Sequence, residues 1–101
     1  RTAHGLAEVS LDGQLVNKAH EWAAVMAGSG VRHSKLTDGA GDNWTILGEN
    51  VGRASTVAEM NRLFMASPKH RSIILDRRMT RVGTGVAIAN GQVYVVQVFS
   101  G

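Results

Sequence analysis

Four histidines and the absence of cysteine define the chemistry open to this chain of 101 residues. Without cysteine, disulfides, thiolate metal sites and thiol nucleophiles are excluded. The histidines are His4, His20, His33 and His70, and no two have the i, i+4 spacing of a helical HExxH zinc site. Spacing alone therefore singles out no metal or catalytic site. Each histidine taken by itself also fits a hydrogen-bonded structural role.

Serine chemistry has little support either. No serine lies in the G-x-S-x-G setting of a nucleophile elbow, and Ser67, which precedes Pro68, fits the N-cap of a helix. The stretch Gly83-Thr84-Gly85 resembles part of a phosphate-binding loop, but it lies within an alternating β pattern and no helix follows it. These glycines instead favour close packing of a helix or a loop on a sheet.

His70 lies in the segment "SPKHR" at 67–71, between two apolar runs. This segment predicts a helix that starts at Pro68 and ends near Leu75, with His70 in its first turn. A helix N-terminus disfavours the imidazolium form, so His70 is expected to stay neutral and available as a ligand.

Length and composition predict one folded domain. Hydrophobic residues make up 44% of the chain and proline occurs once, which is typical of a globule with a single core. No apolar run approaches the roughly 20 residues of a membrane helix. The chain starts at Arg1 without an initiator methionine, which is compatible with a removed leader or with an excised domain.

The net charge is +3, and five basic residues against one acid stand between positions 69 and 81. Such a block is compatible with contact to nucleic acid, anionic lipid or an acidic cell-wall polymer. We favour a solvated loop and strand edge in which lysine and arginine oppose aggregation. The block is short, and Tyr94 is the only tyrosine available for base stacking. No nucleic-acid partner is expected.

Three further segments have helical patterns. Residues 1–7 resemble the end of a helix that starts upstream, with Gly5 near its C-terminal cap. A helix at about 11–27, capped by Ser10, has one apolar face, made of Leu11, Leu15, Ala19, Trp22 or Ala23, and Met26. A capping box at Thr56 to Glu59 starts a helix that ends near Ala66. Between the second and third of these segments, residues 29–45 predict a long loop of the kind that is usually functional or mobile.

The C-terminal part of the chain has β patterns. A short strand is predicted near 46–51, and two alternating strands at 80–88 and 93–99 are joined by Asn90-Gly91, a strong type I′ hairpin signal. Helices followed by an antiparallel sheet predict an α+β fold with the helices packed on the sheet. The expected core contains Leu15, Trp22, Phe64, Ile74, Val86, Val95 and Phe99.

Five short motifs occur in order: "HS" at 33–34, "GENVG" at 48–52, "SPKHRSIIL" at 67–75, "VGTGVA" at 82–87 and "YVVQVF" at 94–99. Together they resemble the CAP, or SCP-like, superfamily of cysteine-rich secretory proteins, venom antigens and plant pathogenesis-related proteins, in its cysteine-free bacterial form. The resemblance covers nearly the whole chain. It implies an α-β-α sandwich with helices on both faces of a small antiparallel sheet. Residues 1–101 would form a single domain whose first helix is truncated at the N-terminus.

The resemblance also implies a cleft that other members build from two histidines and two glutamates. At matching positions this chain has His33, Glu49 and His70, which are the predicted metal ligands. The second glutamate would fall near Ser67, so the chain lacks it, and Glu59 is better explained by its capping box. Glu49 is the candidate catalytic residue, and the ligand cleft is expected to include Asn50, Ser67 and Arg71. Arg71 is expected to point away from the histidines and to anchor a backbone carbonyl or a carboxylate.

Three functions fit this site. The first is a secreted or cell-envelope-associated binding module that is not an enzyme, binds Zn²⁺ or another divalent cation and takes a lipid, sterol or cell-envelope ligand. The second is a metal-dependent hydrolase or protease, in which the metal activates water or Glu49 acts as general base. The third is a structural His/Glu network without any ligand. We favour binding over catalysis because one candidate acid or base is missing, and we expect a monomer.

Overall fold

The computed structural model describes residues 1–101 apart from the side chain of Thr2. A short 3₁₀ turn at Thr2–His4 is followed by Gly5 with a φ of 73°. The helices are α1 at Gly13–Ser29, α2 at Val57–Ala66 and α3 at Pro68–Ile74. The strands are β1 at Ser10–Leu11, β2 at Leu47–Ala54, β3 at Arg81–Ala89 and β4 at Gln92–Ser100.

One four-stranded sheet, in the order β1-β3-β4-β2, forms the centre of the fold. β4 pairs antiparallel with both β3 and β2, and β1 adds a short parallel pair to β3. At the β3–β4 turn, Asn90 has a φ of 53° and Gly91 a φ of 74°. A type I′ turn requires positive φ at both central residues, so the hairpin predicted from Asn90-Gly91 is confirmed.

Helices cover both faces of the sheet. α1 lies on one face, against β3 and β4, while α2 and α3 lie on the other face, against β2. The approach of α1 is close, because a Cβ added to Gly83 or Gly85 would lie 2.1 Å or 2.2 Å from the α1 backbone. The predicted α+β fold and α-β-α sandwich are therefore confirmed, and the two glycines serve helix packing.

The core is divided between the two faces. On the α1 face, Leu15, Ala19, Ala23 and Met26 pack with the β4 residues Val96 and Val98, all nearly fully buried. On the other face Phe64 and Met60 of α2 pack against Val95. Among the predicted core residues, Leu15, Phe64, Val95 and Phe99 are buried, and Trp22, Ile74 and Val86 are half-buried.

The predicted start of the first long helix is wrong by two residues. The helix is capped by Asp12, whose side chain accepts a hydrogen bond from the Leu15 amide, and not by Ser10. Ser10 and Leu11 are instead held in β1, where the backbone amides of Ser10 and Asp12 donate to carbonyls beside and within β3. Leu11 is accordingly 81% exposed rather than part of the helix face.

The second and third helices agree with the sequence pattern. α2 begins after Thr56, whose hydroxyl accepts from the Glu59 amide, while the Glu59 carboxylate accepts from Ser55. The first bond satisfies one of the unpaired amides at the start of the helix, and the second ties Glu59 to the residue before the cap. β2 extends three residues beyond the strand end expected at Val51. Within the described residues, no helix is both long enough and apolar enough to cross a bilayer.

Replacing Phe64 with alanine is expected to lower the free energy of unfolding by about 3–5 kcal/mol, because the ring is fully buried between α2 and the sheet. Chemical denaturation measures this loss. Leu63→Ala on the same helix removes a side chain that is 42% exposed and serves as the control, with a smaller expected loss. A loss below about 1 kcal/mol for Phe64→Ala would contradict the assigned core.

Gly85→Ala is expected to destabilise the fold by about 1–3 kcal/mol or more, because the new methyl group would meet the α1 backbone at Ala19. Gly28→Ala provides the matched control. Its Cβ would meet nothing within 4 Å, and alanine is favoured over glycine in a helix, so stability should rise by about 0.5–1 kcal/mol. Equal effects of the two substitutions would argue against the close α1–sheet packing.

Candidate functional site

A buried carboxylate organises the contact between the long loop at residues 30–46 and strand β2. Glu49 lies directly opposite Val98 in the sheet, so its side chain shares the α1 face with Val98. Its Oε1 accepts from the Ser34 amide at 2.9 Å and lies 2.9 Å from Nδ1 of His33. The Ser34 hydroxyl donates to Oε2. Three donors thus converge on one carboxylate whose side chain is only 3% exposed.

The contact with Glu49 indicates which ring nitrogen of His33 carries the proton. An ionised carboxylate only accepts hydrogen bonds, so Nδ1 of His33 carries the proton that it shares with Glu49. In the neutral ring the lone pair is then on Nε2, the pattern found in metal-binding and proton-transferring histidines with a carboxylate partner. The His33 side chain is 52% exposed, which leaves the ring accessible from solvent.

Lys18 of α1 adds a buried donor to this network. It is 6% exposed, and its Nζ donates to the Ser34 hydroxyl at 3.0 Å and to the Lys35 carbonyl at 2.9 Å. Burial lowers the pKa of Lys18, and the nearby carboxylates of Glu49 and Asp38 act in the opposite direction. The lysine supplies hydrogen-bond donors to two oxygens of the loop that passes over α1.

His70 approaches from the opposite face of the sheet. It lies in the first turn of α3, with Nδ1 2.9 Å from the Ser67 hydroxyl and its ring centroid 5.2 Å from that of Phe64. Ser67 occupies the N-cap position as predicted, but its hydroxyl contacts the His70 ring and makes no capping hydrogen bond to the backbone. Burial lowers the pKa of His70, and the charges of Lys69 and His33 lower it further.

Asn50 connects α3 to the sheet. It is completely buried, and its Nδ2 donates to the His70 carbonyl at 3.2 Å and to Oε1 of Gln97 at 3.1 Å. Its Oδ1 has no hydrogen-bond partner among the described residues. Arg71 is exposed on α3.

The carbonyls near the end of α3 are bound by Arg1. Its guanidinium donates to the backbone oxygens of Ile74, Asp76 and Met79 at 2.9–3.2 Å. The N-terminal residues are thereby fastened to the segment between α3 and β3. This is the kind of contact that the sequence predicted for Arg71.

The structure brings two of the three predicted site residues into direct contact, and the third lies in α3 on the other face of the sheet. His33 and Glu49 are hydrogen-bonded, and His70 lies close to edge strand β2, which separates α3 from the loop that carries His33. Among the described side chains, no group of three or more His, Asp and Glu residues is placed to hold a metal ion. The metal site therefore stays a prediction.

Sequence reasoning missed Lys18 and the roles of Ser34 and Gln97. Lys18 had a detectable signal, because it stands three residues after Leu15 on the helix face that is otherwise apolar. Ser34 belongs to a quoted motif, but only the fold shows that both its amide and its hydroxyl bind Glu49. Gln97 falls on the same sheet face as Asn50 because the two are register partners in β2 and β4. A single sequence does not give that register.

Comparison with known proteins agrees with this architecture. The model of the CAP family, described as the cysteine-rich secretory protein family, matches residues 1–99. The chain belongs to the CAP family. No curated protein shows significant similarity to it. This member has no cysteine, so the family's name does not describe its chemistry.

Solved CAP structures share the fold. An extracellular SCP-domain protein of Bacillus anthracis is 21% identical with a TM-score of 0.81, covering 99% of this chain and 36% of that protein. An outer surface protein of Borrelia burgdorferi is 14% identical with a TM-score of 0.82, covering 99% and 82%. A cysteine-rich secretory protein of Staphylococcus aureus is 20% identical with a TM-score of 0.73, covering 98% and 34%. This chain thus spans about a third of the Bacillus and Staphylococcus proteins.

The lowered pKa of His70 predicts a specific pH dependence of stability. Because its pKa is below the ordinary 6.5 in the folded state, the unfolded chain binds more protons as pH falls through 6.5. The His70 contribution to stability is therefore lost on acidification and recovered as pH rises. His70→Asn should reduce the loss of stability between about pH 7 and pH 5, measured by denaturant unfolding at several pH values.

Ser72→Ala is the control for this measurement. Ser72 lies on the exposed side of α3, and its replacement removes no titratable group, so the wild-type pH slope should persist. A His70→Asn variant with the full wild-type slope would show that His70 does not carry the effect.

Proposed function

We propose that this CAP domain is a non-catalytic binding module and that its histidine cleft binds a divalent cation such as Zn²⁺. The observation that carries the proposal is the pairing of a half-exposed imidazole with a buried carboxylate, His33 with Glu49. That pairing leaves Nε2 of His33 as a lone-pair donor toward solvent. His70 supplies a second imidazole, and its lowered pKa favours the neutral form that binds metal.

The donor set suits a weakly held ion. His33 and His70 would be the ligands, while Glu49, whose oxygens already accept three hydrogen bonds, would orient His33 from behind. A bound Zn²⁺ would supply open coordination positions for an oxygen-containing ligand. With two protein ligands, affinity should be modest compared with that of a closed structural zinc site.

Binding is better supported than hydrolysis. A general base must reach its water and accept a proton. Glu49 is nearly inaccessible, and its lone pairs face Ser34 and His33, so it is poorly placed for that task. Among the described residues, the side-chain hydrogen bonds of His33 and His70 involve no acidic residue other than Glu49. These features support a site that holds a ligand without transforming it.

The site of action is proposed to be outside the cell or at the cell envelope. The similar structures include an extracellular protein and an outer surface protein. A lipid, sterol or cell-envelope component is the proposed second ligand, and its support is the resemblance to the CAP family. The formal net charge of +3 is compatible with an anionic envelope component.

Calorimetric titration with Zn²⁺ tests the metal proposal. His33→Ala and His70→Ala should each remove most of the binding, whereas His4→Ala and His20→Ala, at exposed positions, should leave it unchanged. Glu49→Gln should weaken binding by about 10–100-fold, as expected for a residue that orients a ligand. Binding should also weaken near pH 5, because protons compete for the imidazoles.

Zinc binding that survives unchanged in His70→Ala would contradict the assigned ligands. If the wild-type protein binds no divalent cation at all, the structural-network interpretation of the same residues would stand instead. Treatment with a chelator tests whether folding depends on a bound metal ion. The melting temperature should hold without metal, because the two core clusters do not depend on the cleft.

A further inference from the structure

Lys18 occupies a position where a lysine requires a specific explanation. It lies on the core-facing side of α1, between the buried residues Leu15 and Ala19, and is itself 6% exposed. Burying an ammonium group is unfavourable unless it is hydrogen-bonded, and lysine is among the residues least often fully buried. The aliphatic stem is also enclosed, since a Cβ at Gly39 would lie 3.4 Å from the Lys18 Cβ. The loop is thus folded closely over this side chain.

The hydrogen bonds from Lys18 lead to His33. Its Nζ donates to the Ser34 hydroxyl, and that hydroxyl donates to Oε2 of Glu49. Glu49 in turn faces Nδ1 of His33 through Oε1. This series of hydrogen bonds therefore runs from the core-facing side of α1 to His33, whose side chain is 52% exposed.

The direction of these bonds follows from the chemistry of each group. An ammonium donates and cannot accept, so the Ser34 hydroxyl must receive a hydrogen bond from Lys18 and use its own proton elsewhere. That proton goes to Glu49. The Ser34 amide binds Oε1 of Glu49, which fixes the carboxylate against the loop, and the same Oε1 contacts Nδ1 of His33.

We propose that Lys18 is a positioning residue for His33: through Ser34 and Glu49 it holds the neutral His33 ring with its proton on Nδ1 and its lone pair on Nε2. The relevance of this role to cation binding rests on the proposed function. The geometry of the network stands without any bound ion. Lys18 is not itself hydrogen-bonded to His33 and acts through the two intervening side chains.

The tautomer of His33 is the direct readout. In nitrogen-15-labelled protein at about pH 8, where histidine is neutral, the ring-nitrogen chemical shifts report which nitrogen carries the proton. The wild type should show the Nδ1–H form of His33. Lys18→Met keeps most of the side-chain volume but removes the donors, and should shift His33 toward the Nε2–H form that histidine favours in water. Lys35→Met, at a neighbouring exposed lysine, is the control and should leave the tautomer unchanged.

Two further variants make the test independent of the stability of Lys18→Met. Ser34→Ala removes the intermediate hydroxyl while Lys18 remains, and should shift the tautomer in the same direction. Lys18→Arg restores a cationic donor and should return His33 at least partly to the Nδ1–H form. A folded Lys18→Met or Ser34→Ala protein that retains the full wild-type tautomer would overturn the proposal.

Zinc affinity gives a second readout that separates this proposal from the proposed function. Lys18→Met should weaken zinc binding by about 10–100-fold, the range found when groups that orient a metal ligand are replaced. If the wild type binds no zinc but shows the predicted tautomer changes, the metal proposal fails and the role of Lys18 stands. If zinc binds but the tautomer does not respond to Lys18, the role of Lys18 is refuted and the metal proposal stands.

Discussion

The buried carboxylate of Glu49 is the constraint around which the site is arranged. A carboxylate with a side chain only 3% exposed needs donors to replace the water it has lost. The sheet does not supply them on this face, where the neighbours of Glu49 are Val51 and Val98. The donors come from the loop instead, through the amide and hydroxyl of Ser34 and the ring of His33. A long, glycine-rich loop is thereby held against the sheet without a helix or strand of its own.

The close packing of α1 on the sheet makes this arrangement possible. Because Gly83 and Gly85 have no side chain, the α1 backbone packs so close to β3 that a Cβ at either position would clash with it. With α1 this close to the sheet, Lys18 lies under the loop. There its Nζ donates to the Ser34 hydroxyl and to the Lys35 carbonyl. Larger residues at the two glycine positions would move α1 outward and the lysine with it. The glycines thus affect the site although neither is part of it.

Local sequence signals predicted most of the fold. The start of α1, which they did not predict correctly, depends on contacts between residues far apart in the chain. The Thr56 capping box, Pro68 and Asn90-Gly91 each determine structure through contacts within a few residues, and all three were identified correctly. The start of α1 was misplaced because Ser10 and Asp12 are both good N-cap residues. The choice between them is made by pairing of β1 with β3, about seventy residues away in the chain. Sequence periodicity carries no information about that pairing.

The same distinction applies to the candidate site. His33, Glu49 and His70 were identified through motifs of the family, whereas periodicity and spacing left all four histidines equivalent. The role of Lys18 does not follow from periodicity, because a single charged residue leaves the apolar pattern of the helix face unchanged. Its partners, Ser34 and the Lys35 carbonyl, lie in a loop whose path cannot be derived from hydrophobic pattern. A buried lysine at a core position is nevertheless a sequence signal, because it requires nearby acceptors.

The structural network and the proposed binding site are compatible because they would use different sides of the same groups. The inner contacts, from Lys18 and Ser34 to Glu49, are buried and hold the loop to α1 and β2. The outer group, Nε2 of His33, belongs to a half-exposed side chain and is not needed for those contacts. Fixing the loop therefore also fixes one imidazole in a defined orientation toward solvent. Holding that ring in advance reduces the ordering that a ligand would otherwise impose, which is how a rigid structural network contributes to affinity.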